Sequence, residues 1–344
     1  DLIAIDTVVN PLTPEIAASR PQWSAEFHTG VFKQEQKVRQ GYTVDEMLRM
    51  MDEGGVARAM LVAAKIGQAG TRGAWHLPYA TVADLVQKRP ERFVGLAGLD
   101  PTEGMAGVRA FQHAVREYGF VGAHGYPHWF ELAPDHARWY PFYAKACELD
   151  VPVQLQVGQS LVYDPGRPLR SVGRPITFDA VACDFPELKL VGIHVGIPWT
   201  DEMIAMAWKH RNVYIVADAH APKHWPSSFV RYIDSYGQDK VMFGTDFPVL
   251  GFQRMREEVE ALGLRDGPKR KFLRDNALRH RDELTAWIAS EGLEGEVKDM
   301  GDALAFDLLF VTATPQGAAA LNRAPGVVAV RPAADLSGPG GKVG

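Results

Sequence analysis

Cysteine is nearly absent: 344 residues hold two, Cys147 and Cys183. Two thiols cannot build the disulfide framework that stabilises small secreted domains, so a reducing compartment is expected, with both thiols packed in a core. Long apolar runs are missing as well. No stretch of the chain approaches the roughly 18 apolar residues that cross a bilayer, and the opening DLIAIDTVVNPLTP has no basic region leading into an apolar one. A cytoplasmic protein without a membrane partner is the expectation. Basic charge is not in excess either. Lys and Arg number 37 against 42 Asp and Glu, a formal net charge of -5, which removes the electrostatic footprint of a nucleic-acid binder and leaves a small molecule as the expected partner.

What the chain does have is core. A hydrophobic fraction of 46%, a charged fraction of 23% and a mean hydropathy of -0.15 describe a soluble globular protein. Its apolar, β-branched runs fall at Leu2 to Val9, Val56 to Ala63, Phe93 to Leu99, Gly119 to His124, Val151 to Val157, Leu188 to His194, Asn212 to Ala217 and Lys240 to Thr245. Amphipathic helical patterns separate most of them, beginning with Thr43-Val44-Asp45-Glu46, a capping box followed by the stripe Val44, Met47, Leu48, Met51. Further helices are expected near residues 76–89, 104–118, 138–148, 177–184, 200–210, 226–236 and 252–277, the last broken by Gly263 and Gly267. Eight strands alternating with helices predict an α/β fold of one kind, a (β/α)₈ TIM barrel over residues 1–282. Residues 11–42 lack periodicity and read as a functional cover after the first strand. Residues 283–344 read as a small C-terminal appendage, with strand, helix and strand expected at Phe306 to Ala313, Pro315 to Arg323 and Gly326 to Val330, serving as a subdomain or an interface element.

In such a barrel the chemistry lies where the strands end. The residues closing the runs are Asn10, Lys65, Asp100, His124 with Tyr126, Gln156, His194, Asp218 with His220, and Asp246. Inward side chains of alternate strands share a layer, so His124, His194 and Asp246, ending the fourth, sixth and eighth runs, are expected to converge as the catalytic set. His194 is the general acid or base and Asp246 its orienting or proton-accepting partner. Asn10, Gln156, Tyr126, His128, Trp199 and His220 are the expected substrate-binding residues, in loops whose aromatics suit a flat or cyclic ligand. Arg167, Arg170 and Arg174 follow the fifth strand. Arg174 is taken as a possible carboxylate holder, and at least two of the three belong on a solvated face.

The stretches PVQLQVG, GRPITFDAVACDFPELKLVGIHVGIPWTDEMIAMAWKHRNVYI, KVMFGTDFP and DNALR, with IDTVVNP and GFVGAHGYPHW before them, resemble the amidohydrolase-related family. That family includes aminocarboxymuconate-semialdehyde decarboxylase, other aromatic-acid decarboxylases and a pyrone-dicarboxylate lactonase. The resemblance covers about residues 2–280. It implies a metal bound by a His-x-His pair in the first strand, a histidine in the fifth and an aspartate in the eighth, with a sixth-strand histidine working beside it as acid or base. Here those positions hold Val8 and Asn10, Gln156, Asp246 and His194. Val8 has no donor and the two amides are weak partners for zinc, so no metal cofactor is expected, and at most a weak divalent ion at Asp246.

These features point first to a metal-independent enzyme that hydrolyses a lactone or C–C bond in a small cyclic or aromatic carboxylate. The alternative is a decarboxylase of the same family. A third reading, of another class, is a barrel that binds a small molecule and catalyses nothing. A homodimer is expected by analogy with other barrels.

Overall fold

The computed structural model describes residues 4–34, 37–278, 287–300, 311–321 and 323. Its central sheet has eight strands: β1 (Ala4–Val9), β2 (Val56–Ala63), β3 (Phe93–Leu99), β4 (Gly122–Gly125), β5 (Val153–Gln156), β6 (Leu190–Ile193), β7 (Val213–Ala217) and β8 (Val241–Phe243). Each strand pairs in parallel with the next in sequence, from β1 through to β8. The ring closes just beyond the strand ends, where Asp246 N donates to Val8 O (3.0 Å) and Asn10 N to Phe247 O (2.8 Å). The predicted (β/α)₈ TIM barrel is the fold.

Strand burial explains why the runs read as continuous rather than alternating. Every residue of β3 is buried, as expected where parallel strands have side chains on one face and helices on the other. The helices fall where their periodicity placed them. Val44–Glu53 is capped by Thr43 Oγ1 accepting from Glu46 N (3.2 Å) while Thr43 N donates to Glu46 Oε2 (2.8 Å), and its Met47 and Met51 are buried against the barrel. The last expected helix is two, Phe252–Glu260 and Asp266–Leu273, separated at Gly263, whose φ of 68° no continuing helix permits. Three short helices, Pro14–Ser19, Gln22–Gly30 and Lys37–Gln40, build the segment between β1 and β2.

Two local expectations need correction. Lys65 does not simply end β2: it begins a small antiparallel hairpin, Lys65–Ile66 with Trp75–His76, because a Gly-rich turn intervenes. Cys147 is half-buried and packs against the core as expected, whereas Cys183 is exposed on the outer face of its helix.

After the barrel, Val297–Met300 pairs antiparallel with Val311–Ala313, and the helix Pro315–Leu321 follows. Ile288, Val297 and Leu321 form a small apolar cluster separate from the barrel core. This is the appendage. The boundary expected at 282/283 and the strand expected over residues 326–330 lie outside the described residues. Among the described residues, no helix is long and apolar enough to cross a membrane.

Candidate active site

Unpaired polar atoms locate the mouth. Ten buried side-chain nitrogen or oxygen atoms lack a hydrogen-bond partner among the described residues; Asp100 Oδ2, Gln156 Oε1, His194 Nε2 and Asp218 Oδ2 follow strand ends, and Arg20 Nε, His28 Nδ1 and Gln34 Oε1 lie on the covering segment. Native proteins leave few such groups unless something else is meant to bind them. Their concentration at one end of the barrel marks a site.

His194 and Asp246 meet there. His194 Nε2 lies 3.6 Å from Asp246 Oδ2 and 3.6 Å from Asp218 Oδ2. Asn10 Nδ2 donates to Asp246 Oδ1 at 2.7 Å, leaving Oδ2 to face the imidazole. Asp218 bonds from its other oxygen, Oδ1 accepting from His194 N at 2.6 Å. Backbone strain accompanies these contacts: φ is 72° at His194, 62° at the β-branched Val195, 60° at Ala219 and 54° at Asp246. Left-handed backbone costs an L-residue about 1–2 kcal/mol and tends to gather at functional sites. The bonds from His194 N to Asp218 and from Asp246 N to Val8 hold two of these residues in place.

Burial sets the protonation of the centre. It pushes the carboxyl of Asp218 well above the ordinary range, with the negative charge of Asp246 adding to the effect. It also raises Asp246, to about 7, against the opposing Asn10 hydrogen bond and the charge of Arg20. Burial lowers His194 well below its usual value, helped by the nearby imidazoles of His220, His124 and His128, so the ring is neutral. Below this layer Asp6, raised by burial to about 7, accepts from Val8 N (3.1 Å) and from Thr245 N (3.1 Å) and Oγ1 (2.6 Å). The centre is rich in groups that hold protons and poor in bases.

The other anticipated residues are distributed around it. His124 is buried, its Nδ1 3.1 Å from Gln154 Oε1 and its ring 4.7 Å from that of Tyr126, and burial lowers it to about 4. Gln154 anchors it by donating to Thr7 O (3.0 Å). Tyr126 is buried, and its hydroxyl is raised by that burial and by the charge of Asp246. His128 is buried, with Nδ1 accepting from Val172 N (3.3 Å). Gln156 turns an unpartnered Oε1 inward, and His220 is held neutral by burial and by His224. Trp199 and Arg174 stand apart. Arg174 forms a two-point pair with Glu202 (3.1 and 2.7 Å) and lies 4.7 Å from the Trp199 ring, on the surface.

Asp218 and Arg20 went unassigned in the sequence. Asp218 closes the odd-numbered β7 and so fell outside the even-strand layer, although an aspartate ending each of β7 and β8 was the available signal. Arg20 sits in the aperiodic segment, where no pattern ranks one residue above another. That segment packs closely: the enclosed space lined by Leu12, Arg20, Ser24 and His28 has a volume of about 20 Å³, room for one water. The larger groove, about 500 Å³, lies on the outer wall among Pro222, Trp225, Val230 and Leu262 and includes none of these strand-end groups.

A closed (β/α)₈ barrel whose strand ends converge an imidazole and two carboxylates is the architecture of hydrolytic and lytic barrel enzymes. The chain belongs to the amidohydrolase family, whose profile matches residues 8–280. It is an enzyme of hydrolase or carboxy-lyase type. It is 26% identical over 315 residues to gamma-resorcylate decarboxylase of Rhodococcus jostii, spanning 74% of this chain and 92% of that one. In structure it resembles an uncharacterized TIM-barrel protein from Bordetella bronchiseptica (TM-score 0.67, 22% identity, 82% of this chain and 99% of that one). It also resembles 2,6-dihydroxybenzoate decarboxylase complexed with 2,6-dihydroxybenzoate (TM-score 0.63, 20% identity, 81% and 98%).

The expectation of no metal cofactor is overturned. The dihydroxybenzoic acid decarboxylase of Polaromonas sp. JS666 (TM-score 0.57, 18% identity, 80% and 96%) has a structure with bound manganese. In this chain His194, Asp218 and Asp246 each offer a ligand atom, all within 4.8 Å of one another. Counting donors only at the family's usual positions omitted Asp218, which restores a three-donor set. His194 Nε2 and Asp218 Oδ2 are enclosed and unpartnered, as atoms meant for an ion would be, and two carboxylates with one imidazole suit a hard cation such as manganese.

Proposed function

We propose that this protein is a carboxy-lyase that removes the carboxylate of a small aromatic acid. The observation that carries the reading is the convergence of His194, Asp218 and Asp246, two of them with buried unpartnered atoms, beneath a cover carrying a half-buried arginine. The gamma-resorcylate decarboxylase relatives support it. Hydrolysis, the reading first favoured by the sequence, has less support, because the curated relatives are decarboxylases.

His194, Asp218 and Asp246 would hold a divalent cation, which when bound supplies positive charge to neutralise and position the acidic oxygens of the substrate. A proton is delivered to the ring carbon that bears the carboxylate, beside Asp246, which Asn10 fixes in place. The bond from that carbon to the carboxylate breaks, its electron pair returns to the ring, and CO₂ leaves. That proton comes from solvent, so one aromatic carboxylate and one proton become one arene and CO₂. Tyr126 and His128, buried beside the centre, exclude water from the ring carbon.

The test is incubation with a panel of hydroxybenzoates and manganese in deuterated water, before and after chelation. Expected are CO₂ release, one deuterium at the vacated ring carbon, and loss of both on chelation. Ring-opened or hydrolysed products without CO₂ would overturn the reading.

A further inference from the structure

Arg20 is the cationic side chain of the covering segment that turns into the mouth. It follows the helix Pro14–Ser19, where its backbone N donates to Ala17 O, and it precedes Pro21. Its guanidinium lies 5.0 Å from the centre of the Trp75 ring, and Trp75 is itself fixed by Nε1 donating to Ser19 Oγ (3.3 Å). Stacking on an indole orients the planar fork and leaves its edges free. One edge makes a single long bond, Nη1 to Ser24 Oγ at 3.5 Å, and Nε is enclosed without any partner. Among the described residues, Arg20 has no carboxylate within ion-pair distance, its one side-chain bond being to Ser24. Trp75 belongs to the hairpin that follows β2, so the guanidinium sits at the strand-end side of the barrel, where its charge acts on Asp246 and Tyr126.

Several cations of the strand-end loops differ, whereas, among the described residues, the exposed Arg39 and the loop Arg167 bond only to threonine hydroxyls. Lys65 pairs with Glu103 at 2.5 Å, Arg174 with Glu202, Arg170 faces Glu131 at 3.9 Å, and Arg72 holds Asp164 at 2.8 Å. Each has its counter-ion within the chain. A half-buried guanidinium with an enclosed, unpartnered Nε is poorly solvated, and an anion that pairs with its fork offsets that cost.

We propose that Arg20 is the anion anchor of the site and holds a second acidic oxygen of the aromatic ring, a carboxylate or a phenolic oxygen, and not the carboxylate that departs. This rests on the carboxy-lyase reading of the same mouth. The departing group loses its negative charge as CO₂ forms, so a guanidinium paired with it would stabilise the bound acid more than the transition state and slow the reaction. A ring oxygen that keeps or gains negative charge as electrons return to the ring is stabilised at least as well in the transition state. The substrate class is therefore an aromatic acid with two acidic substituents.

Binding measured without turnover separates this from the activity. Calorimetric titration of the manganese-loaded protein would use benzoate, 2-hydroxybenzoate and benzene-1,3-dicarboxylate as probes. The wild type is expected to bind at least one of the two disubstituted acids about 10-fold or more tighter than benzoate, the better of them identifying the oxygen. Arg20→Gln is expected to erase that preference while leaving benzoate affinity within about 3-fold, and Arg20→Lys to restore part of it. Equal affinity of the wild type for all three acids, no binding of any, or an Arg20→Gln variant that keeps the preference or loses benzoate equally would overturn the proposal. A preserved, Arg20-dependent preference without CO₂ release would leave the anchor standing and remove the carboxy-lyase reading alone. Unchanged circular dichroism and melting temperature in both variants keep these outcomes attributable to binding.

Discussion

Replacing Asp218 by Asn isolates the donor that separates a three-ligand site from a two-ligand one. An asparagine Oδ1 can still accept from His194 N, where Asp218 Oδ1 does so at 2.6 Å, so the turn at His194 is preserved. The second atom is the one that changes: an amide nitrogen replaces the unpartnered Oδ2, 3.6 Å from His194 Nε2. An amide nitrogen is no donor to manganese, and losing one of three ligands should weaken the ion by about 100-fold or more, given that disturbing only the outer partners of metal ligands costs about 10–100-fold. The consequence is calculable by mass action. At manganese equal to about 100 times the wild-type Kd, binding stabilises the wild type by about 2.7 kcal/mol, whereas the variant gains about 0.4 kcal/mol. At about 2 °C per kcal/mol for a domain of this size, melting should rise by about 5 °C in the wild type and by less than about 1 °C in the variant. Without metal the variant should be at least as stable as the parent, because it removes a buried carboxyl that burial and Asp246 disfavour as an anion. Differential scanning calorimetry with and without manganese, alongside elemental analysis of the desalted protein, makes the measurement. Equal manganese-induced shifts in the two proteins would refute the assignment of Asp218 as a ligand.

His194→Ala should lower kcat by about 10²–10⁴-fold with an unchanged circular dichroism spectrum, since the residue ends a strand and contributes little core; wild-type turnover would remove it from the mechanism. His128, lowered by burial from 6.5 to about 4, should make stability acid-sensitive. Between those values the unfolded chain binds a proton that the folded one refuses, so the contribution is complete above 6.5 and falls as pH falls, by about 2 kcal/mol at about pH 5. The stability gap between wild type and His128→Gln should narrow by that amount from about pH 7 to about pH 5, and parallel denaturation curves at both values would contradict it. Thr43→Ala removes a capping box far from the mouth and should cost about 1 kcal/mol with no change in activity; an equal loss of activity would mean that the outer helix communicates with the site.

The barrel was legible because its strands are short, β-branched and interrupted at regular intervals, a pattern that β2 and β3 reproduce to the residue. The pairing of His194 with Asp246 was legible from the same counting, since strand ends in a closed barrel have one place to go. Asp218 was not. The layer rule describes side chains within the strands, whereas these residues lie just past them, where left-handed backbone at His194, Ala219 and Asp246 redirects the chain. The metal was misjudged for the same reason: donors were counted at fixed positions, and a neighbouring strand supplied one instead. Arg20 is set by tertiary packing on Trp75, which no local periodicity records.

The bonds that close the ring also shape the cavity. Asn10 and Asp246 are 236 residues apart in the chain, yet a side-chain bond joins them, flanked by the backbone bonds from Asn10 to Phe247 and from Asp246 to Val8, where the first strand meets the last. A chain emerging from the ribosome therefore carries one half of this seam long before the other exists. Asp246 has no finished cradle until that final junction forms, so completing the circle also completes the acidic cluster at its mouth.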